Sequence, residues 1–334
     1  MSKPLLEIKN LKKHFSQGGG LFSNKADENS IPAVDDISLH VGHNETLGLV
    51  GESGCGKTTT GKAILKLNSA TSGEIWFDGT DITQLKEKEF RPYRKQMQMI
   101  FQDLDAALNP KMKIFDVLKE AIMVHHKDLT DEQVKSRVKE LMEMVNLQQG
   151  KLTNLPTELS GGEKRRVGIA RVLAVQPRFI VADEPTSALD VSIQAQVVNL
   201  MLDLQKQLGL SYLFISHDLH LVEILSHRIA VMYLGRIVEM GPAEKIAHTP
   251  KHPYTKILWS SLSDGSVKEA KNNSEEGNWG VYDFARPSGG CRFAPRCPVY
   301  EEKGRPSICT DVGKEPMLTD DAHTHVVACH FPLE

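Results

Sequence analysis

The sequence has no apolar run long enough to cross a membrane. Its longest apolar pieces, such as Phe179–Ala182 and Tyr212–Ile215, are far shorter than the roughly 20 residues that a spanning helix needs. A basic excess is also missing, because 40 Lys and Arg residues stand against 43 Asp and Glu residues. Nucleic acid and anionic membrane surfaces are therefore not expected partners. The first ten residues show no basic segment leading into an apolar core, so we expect no export signal and a cytoplasmic protein.

Cysteine is scarce, with five residues in 334, and four of the five lie in the last stretch of the chain. A composition of 40% hydrophobic and 25% charged residues is typical of an ordinary globular protein. The length allows one large domain with an appendage, or two modest domains. Because residues 261–290 are polar and poor in aliphatics, we expect the cysteine-containing tail to be a small, separately stabilised appendage.

A glycine-rich loop joins an apolar strand pattern to a helical pattern. Residues 51–58, GESGCGKT, fit the spacing G-x-x-x-x-G-K-[ST] of a phosphate loop. Glycines allow backbone N–H groups to turn toward phosphate oxygens, Lys57 neutralises the β and γ phosphates, and the Thr58 hydroxyl can ligate Mg²⁺. The alternative is a glycine-rich turn with an accidental lysine. The residues predicted to bind nucleotide here are Gly51, Ser53, Gly54, Cys55, Gly56, Lys57, Thr58 and Thr59.

Two acidic residues follow the apolar run at 179–182. A phosphate loop needs a second group to hold Mg²⁺, and Asp183 stands where a carboxylate at the end of a neighbouring strand can supply it. Glu184, one residue later, would extend toward the γ-phosphate and could orient and deprotonate an attacking water. The alternative is that this pair is a solvated helix cap.

Buried strands alternate with helices along the middle of the chain. A helical pattern from Val191 to Leu208 lies between two short apolar runs, which predicts an α/β fold with a largely parallel sheet. The region from about 103 to 160 is predicted to be mainly helical, with a capping box at residues 130–133. Residues 230–240 are typical of a short hairpin turning at Gly235.

Further motifs, in the expected order, make the chain resemble the ATP-binding subunits of ABC transporters over residues 1 to about 250. Residues 159–163, LSGGE, are similar to the family signature LSGGQ, and their position shortly before the acidic pair is the discriminating feature. The resemblance implies catalytic roles for Glu184, Gln102 and His217, and a Mg²⁺ site made by Thr58, Gln102 and Asp183. It also assigns nucleotide contacts to Phe15 under the adenine ring, to Gln102 of the Q-loop, to Ser160, Gly161, Gly162 and Glu163 of the signature, and to Asp190 of the D-loop.

The same resemblance implies an ABC-type P-loop NTPase fold, with a RecA-like core sheet, an antiparallel β subdomain and an α-helical subdomain at about 103–160. We expect the nucleotide-binding domain to span residues 1–250 and a C-terminal region to span 251–334. Lys57 and Ser160 of one chain cannot both close on one nucleotide. Two ATP molecules would therefore lie between two such subunits.

Two positions depart from the family pattern. Glu163 replaces the usual glutamine of the signature and adds a carboxylate near a nucleotide, but the basic residues 164–166 follow and would offset it. We therefore expect that Glu163 modifies the signature site without inactivating it. Cys55 occupies a variable position of the phosphate loop, where a simple filler is favoured over a redox switch.

The tail narrows the resemblance to the ATPases of oligopeptide and dipeptide importers, whose relatives also serve nickel and oligosaccharides. The segment 249–255 and the block GGCRFAPRCP resemble their C-terminal region. These systems carry two ATPases, and the glycine-rich insert after Phe15 makes this chain resemble the second of them. Four thiols in a cytosolic tail suit tetrahedral Zn²⁺, a [4Fe–4S] cluster or reduced cysteines better than disulfides. The resemblance points to the cluster, held by Cys291, Cys297, Cys309 and Cys329, with His323, His325 and His330 as alternative ligands.

The function implied by the resemblance is that of an ATPase subunit of a peptide importer. Such a subunit would pair with a paralogous ATPase and dock on two permease subunits at the cytoplasmic face of the membrane. An extracytoplasmic solute-binding protein would deliver the substrate. Oligosaccharide or nickel import is the nearest alternative. The alternatives of another class are a soluble ABC ATPase of translation or DNA repair, and an iron–sulfur regulatory protein that binds ATP.

Overall fold

Two β-sheets and a group of helices organise the computed structural model, which describes residues 3–16, 30–103, 108–263, 289–318 and 325–334. The strands are β1 (Leu6–Ser16), β2 (Ser30–Val41), β3 (Thr46–Val50), β4 (Ser72–Phe77), β5 (Thr80–Asp81), β6 (Met97–Ile100), β7 (Phe179–Asp183), β8 (Ser211–Ile215), β9 (Arg228–Tyr233), β10 (Arg236–Pro242) and β11 (Val326–Val327). The helices are α1 (Lys57–Ile64), α2 (Glu87–Gln96), α3 (Ile114–His125), α4 (Asp131–Met144), α5 (Gly161–Leu173), α6 (Val191–Leu208), α7 (Leu219–Leu225), α8 (Ala243–His248), α9 (Pro253–Ser263) and α10 (Pro298–Glu302).

The larger sheet carries the predicted nucleotide motifs. Its strand order is β11-β10-β9-β3-β8-β7-β6, and the pairs within β9-β3-β8-β7-β6 are parallel. Every residue of β3, β7 and β8 is buried, as expected for apolar strands covered on both faces. The predicted α/β fold is therefore confirmed. Strands β9 and β10 form the predicted hairpin, whose turn places Leu234 and Gly235 at positive φ.

A smaller antiparallel sheet lies beside the first, in the order β2-β1-β4-β5. Its inner face shares one apolar core with β3, β7, β8 and α1, and this core includes Leu6, Ile37, Phe77 and Ile215. The packing fixes β2 against the loop that precedes α1. The glycine-rich insert after Phe15 lies outside the described residues.

The helical region between β6 and β7 agrees with the sequence prediction. Helix α4 begins with the predicted capping box, in which Gln133 N–H donates to Thr130 Oγ1 and Thr130 N–H donates to Gln133 Oε1. The apolar stripe of α4 is buried, including Val134, Val138 and Leu141. Among the described residues, no helix combines the length and the apolar character that a membrane crossing requires.

The C-terminal tail packs on the main body of the protein. Strand β11 pairs with β10 at the edge of the larger sheet, and Phe293 is buried in the same core as the central strands. Buried Glu239 of β10 accepts hydrogen bonds from the backbone N–H groups of Lys251 and His252, and His325 Nε2 lies 2.7 Å from its Oε1. The expectation of a separately stabilised appendage is therefore wrong in this respect, because the tail shares the sheet and core of the rest of the chain.

Candidate nucleotide-binding site

The phosphate-loop sequence connects β3 to α1 and wraps around its own lysine. Lys57 Nζ donates to the carbonyl oxygens of Gly51 at 2.7 Å and Glu52 at 2.9 Å. Gly51 has a φ of +150°, and a Cβ there would lie 2.1 Å from the Met232 carbonyl oxygen. At Gly56, with a φ of +112°, a Cβ would meet the Ala33 carbonyl oxygen at 2.2 Å. Both positions thus require glycine, because backbone from neighbouring strands occupies the space of a side chain.

The remaining loop residues divide into exposed and buried groups. Ser53 and Gly54 are exposed at the tip, while Cys55 is buried and its Sγ lies 3.8 Å from Lys57 Nζ. Burial raises the pKa of the Cys55 thiol, which disfavours the reactive thiolate. The filler interpretation of Cys55 therefore fits its surroundings better than a redox switch. Thr59 is half-buried on α1.

The acidic pair lies at the end of β7, beside the loop. Asp183 is buried and accepts a 2.9 Å hydrogen bond from the Thr58 hydroxyl. Burial raises the pKa of Asp183 and the charge of Glu184 adds to this, whereas the hydrogen bond from Thr58 opposes it. A hydroxyl and a carboxylate at this spacing are the kind of oxygen donors that Mg²⁺ takes together with substrate phosphates. The donor set therefore fits the predicted metal.

Glu184 has its backbone in the left-handed region. Its φ is +46°, which is uncommon for a non-glycine residue, and its N–H donates to the Ile215 carbonyl at the end of β8. Gln102 Nε2 donates to Glu184 Oε2 at 2.8 Å. His217 Nδ1 lies 3.3 Å from Glu184 Oε1. The structure thus brings the three predicted catalytic residues together from three separate strand ends.

The signature segment forms the N-terminus of α5. The exposed Ser160 caps the helix, since its Oγ accepts from Glu163 N–H and Glu163 Oε2 accepts from Ser160 N–H. Lys151 Nζ lies 3.0 Å from Glu163 Oε1. These hydrogen bonds, first that from the Ser160 backbone, lower the pKa of Glu163. Gly161 is exposed and Gly162 packs near Ile193, so the N-terminus of this helix faces outward.

The ion pair of Glu163 reaches outside the basic run at 164–166 that is expected to offset its charge. The ion-pair partner of Glu163 is Lys151, from a different turn of the chain. Arg166 instead donates to the Val145 carbonyl and to Gln196 Oε1. The guanidinium of Arg165 also donates to backbone carbonyl oxygens.

Arg165 is a buried residue beside the site that the sequence did not single out. It is buried, and its guanidinium donates to the carbonyl oxygens of Phe101 and Gln102 and to that of Ser187. It thereby ties the signature helix to the Gln102 segment and to the turn before Asp190. Arg165 occupies a buried position on α5, four residues before buried Ile169. A charged residue on an apolar helix stripe is the sequence signal that could have indicated a buried, hydrogen-bonded arginine.

Asp190 and Phe15 are the two remaining residues predicted to contact the nucleotide. Asp190 caps α6, accepting from Ile193 N–H and the Ser192 hydroxyl, which lower the pKa of its carboxyl. Phe15 is 42% exposed near the end of β1 and lies opposite Ile31 of β2. Ile31 is two residues from Ala33, whose carbonyl packs on Gly56, so the exposed ring is on the strand pair that borders the loop.

The four tail cysteines line one small apolar pocket: Cys291, Cys297, Cys309 and Cys329. Burial raises the pKa of Cys291 to about 11 and that of Cys329 to about 12, and the neighbouring thiolates add to both shifts. In the part of the chain that the structure describes, no group of three or more His, Cys, Asp or Glu side chains is arranged to hold a metal ion. His325 instead contacts Glu239, His330 contacts the Lys314 carbonyl, and His323 lies outside the described residues.

The chain matches two protein-family models and many known proteins. Residues 34–187 match the ABC transporter model, and residues 238–303 match the oligopeptide/dipeptide transporter C-terminal region. The chain is 50% identical to the oligopeptide transport ATP-binding protein OppF of Bacillus subtilis, over 78% of this chain and 83% of the relative. It is 42% identical to AppF of the same organism, also named an oligopeptide transport ATP-binding protein, over 98% of this chain and 97% of the relative.

Solved structures agree with this assignment. The ATP-binding cassette MJ0796, in a dimeric post-hydrolysis state bound to ADP and Pi, is 27% identical with a TM-score of 0.63. That alignment covers 71% of this chain and 98% of the cassette. CbiO1 from Clostridium perfringens, at 24% identity, shows the same fold with a TM-score of 0.64 over 79% of this chain and 97% of its own. The chain therefore belongs to the ATP-binding proteins of ABC transporters, in the group that carries the oligopeptide/dipeptide transporter C-terminal region.

Proposed function

We propose that this chain is the ATP-hydrolysing subunit of an importer for dipeptides and oligopeptides. The observation that carries the proposal is the cluster of Glu184, Gln102 and His217 beside the phosphate loop, in a chain with the oligopeptide/dipeptide C-terminal region. The family activity is ATP hydrolysis coupled to transport. We place the nucleotide-binding domain at residues 1–250 and the C-terminal region at 251–334.

The residue roles follow from the geometry of the site. Lys57 would exchange its carbonyl partners for β- and γ-phosphate oxygens, while the loop N–H groups and the N-terminus of α1 bind the same phosphates. Thr58, Asp183 and Gln102 would hold Mg²⁺, which supplies neutralisation of phosphate charge. Glu184 would accept the proton of the attacking water, and contacts from Gln102 and His217 hold both of its oxygens in place.

We place the second half of each nucleotide site on a partner ATPase. Ser160 and Gly161 are exposed at the N-terminus of α5, where the helix dipole favours an anion. In a head-to-tail pair, Ser160 to Glu163 of one subunit would close on the γ-phosphate of the other. Asp190, which caps α6 next to the exposed Val191, would lie at the same interface. The partner we propose is a paralogous ATPase.

A groove beside Gln102 is the docking surface that we assign to a permease. It lies between β6, α3 and α5 and contains the exposed apolar side chains Leu67, Phe101 and Val124, with Arg94 and Arg171 at its polar parts. An amphipathic helix from a permease fits this combination of apolar floor and charged rim. Phe101 directly precedes Gln102, so movement of the docked helix would reach the Gln102–Glu184 contact.

Val124→Arg is expected to reduce recovery of permeases with the tagged subunit at least about tenfold, because it places a long charged side chain on the apolar floor. The exposed position of Val124 means that the fold and the ATPase activity of the isolated subunit should persist. Ile224→Arg, an equally exposed apolar site on α7, is the matched control and should recover permeases normally. Full permease recovery with Val124→Arg would show that the groove is not the docking surface.

The overall function is tested by anaerobic affinity purification of the tagged chain from native membranes, followed by mass spectrometry. We expect two permeases and a second ATPase at the cytoplasmic face of the membrane, with a solute-binding protein in the intact system. The ligand spectrum of that binding protein then distinguishes peptides from nickel and oligosaccharides. Recovery of ribosomal or DNA-repair proteins without any permease would overturn the proposal.

We further propose that the four tail cysteines hold a [4Fe–4S] cluster, with Zn²⁺ as the alternative. What supports this is the convergence of four thiols on one pocket, where burial raises the pKa of Cys291 and Cys329. Four sulfur donors are the number that either metal centre takes, although the described side chains are not arranged around an ion. A bound metal would hold the cysteines as thiolates and link Cys291 to Cys329 across the tail.

Cys297→Ser is expected to lose most of the iron and acid-labile sulfide from the anaerobically purified protein, since three thiols hold a four-iron cluster poorly. Iron, sulfide and zinc are measured on the same sample. Cys55→Ser, which changes the cysteine outside the tail, is the control and should keep its metal. Retention of full iron and sulfide by Cys297→Ser would rule out this ligand, and zinc in place of iron would decide for the alternative.

A further inference from the structure

The tail segment between Cys291 and Cys297 reaches the phosphate loop. Arg296 forms a two-pronged ion pair with Glu52, the second residue of that loop, with Nη1–Oε2 at 2.9 Å and Nη2–Oε1 at 2.7 Å. The carbonyl oxygen of the same Glu52 accepts from Lys57 Nζ. A single residue of the loop thus connects the tail arginine to the lysine assigned to the phosphates.

Aromatic side chains fix this arginine in place. The guanidinium of Arg296 lies over the rings of Tyr233 and Phe293, at 5.7 and 5.8 Å from their centroids. The Glu52 N–H donates to the Tyr254 hydroxyl at 3.0 Å, and Tyr254 packs on both other rings. Backbone and side chain of Glu52 are therefore both held by groups outside the loop.

A second tail arginine supports the loop from the side. Arg292 donates to the Leu234 carbonyl at 2.6 Å and pairs with Asp35 and with Glu315. The next residue in the turn, Gly235, donates its N–H to the Cys55 carbonyl at 2.9 Å. The tail thereby supports the loop at Glu52 directly, and at Cys55 through the turn at Leu234 and Gly235.

We propose that Arg296 is a positioning residue for ATP, through which the cysteine-containing tail sets the nucleotide affinity of the phosphate loop. The inference rests on the proposed assignment of residues 51–58 as the phosphate loop. Arg296 neutralises a carboxylate that stands one residue from Gly51 and fixes the backbone that Lys57 binds. Without Arg296, the uncompensated Glu52 carboxylate repels the polyphosphate. Arg296 itself touches no reacting atom.

The first test is nucleotide titration of Arg296→Gln with a fluorescent ATP analogue and with ADP. We expect Kd to rise about five- to tenfold, as befits loss of a two-pronged charge-assisted pair near a polyanion. Arg305→Gln is the matched control, because Arg305 lies in the same tail and pairs with Glu301 at 2.9 Å on the exposed surface. Its Kd should equal that of the wild type. An Arg296→Gln variant that binds like this control would overturn the inference.

A double variant separates charge compensation from general damage to the tail. Glu52→Gln combined with Arg296→Gln removes both charges, so we expect Kd to return to within about twofold of the wild type. Arg296→Lys keeps the charge and loses the two-pronged geometry, and it should fall between the wild type and Arg296→Gln. A double variant as weak as Arg296→Gln alone would contradict the mechanism.

Lys57→Ala distinguishes failure of this inference from failure of the phosphate-loop assignment. Loss of nucleotide binding in Lys57→Ala with normal binding in Arg296→Gln refutes the positioning role alone. Normal binding in Lys57→Ala refutes the assignment of the loop itself, and the inference falls with it.

Discussion

Glu184→Gln is expected to lower the rate of ATP hydrolysis at least about a hundredfold, while ATP binding stays near the wild-type level. Glutamine has the same shape, and its Oε1 can still accept from Gln102 Nε2, so the site should keep its geometry. An amide cannot take the proton of the attacking water, and that step is the one we assign to Glu184. Phosphate release and nucleotide affinity are measured on the same preparation.

The control for this prediction is another glutamate paired with a histidine. Glu223 lies 3.0 Å from His248 on the surface, away from the phosphate loop, so Glu223→Gln should hydrolyse ATP at the wild-type rate. If Glu184→Gln turned over ATP as fast as this control, Glu184 would not be the base. If it failed to bind ATP, the carboxylate would have a role in binding that the structure does not suggest.

The parts of the site that could be predicted from sequence are those made by continuous segments. The phosphate loop needs glycines at Gly51 and Gly56 because neighbouring backbone leaves no room for a side chain, and that requirement is visible as a local pattern. Asp183 and Glu184 follow a buried apolar run, so their place at a strand end follows from the run itself. The start of helix α4 is likewise predicted by its capping box.

Contacts between distant segments could not be predicted in this way. Arg296 and Glu52 are 244 residues apart, and only the packing of the tail against the β9–β10 hairpin brings them together. Lys151 reaches Glu163 because the short helical turn at Gln149–Thr153 packs near the start of α5. Arg165 carries no local signature beyond being a charged residue on a buried stripe. Each of these depends on the fold of the whole chain.

The packing of the tail also depends on contacts with distant segments and could not be predicted from its own sequence. Its composition predicted a weak core of its own, and that much agrees with the few buried apolar residues in 289–318. Strand β11 has two residues, which is too short for an alternating pattern to reveal it. The tail obtains its order from the edge of the larger sheet and from buried Glu239 instead.

Glu239→Gln should therefore reduce the free energy of unfolding by about 3 kcal/mol and loosen the tail first. The Glu239 carboxylate is fully buried, and its oxygens face two backbone N–H groups and the ring of His325. A glutamine turns an NH₂ group toward these donors and leaves at least one buried donor unpaired.

Denaturant unfolding gives the stability change, and hydrogen exchange at the Ala328 amide, which donates to the Val238 carbonyl, reports on the tail. Glu244→Gln is the control, because Glu244 is exposed on α8 near the same strand and should leave both measurements unchanged. Wild-type stability and exchange in Glu239→Gln would show that this carboxylate does not anchor the tail. Faster exchange at Ala328 with normal exchange in the central strands would locate the loss where the geometry places it, because β11 depends on β10 while β3, β7 and β8 do not depend on β11.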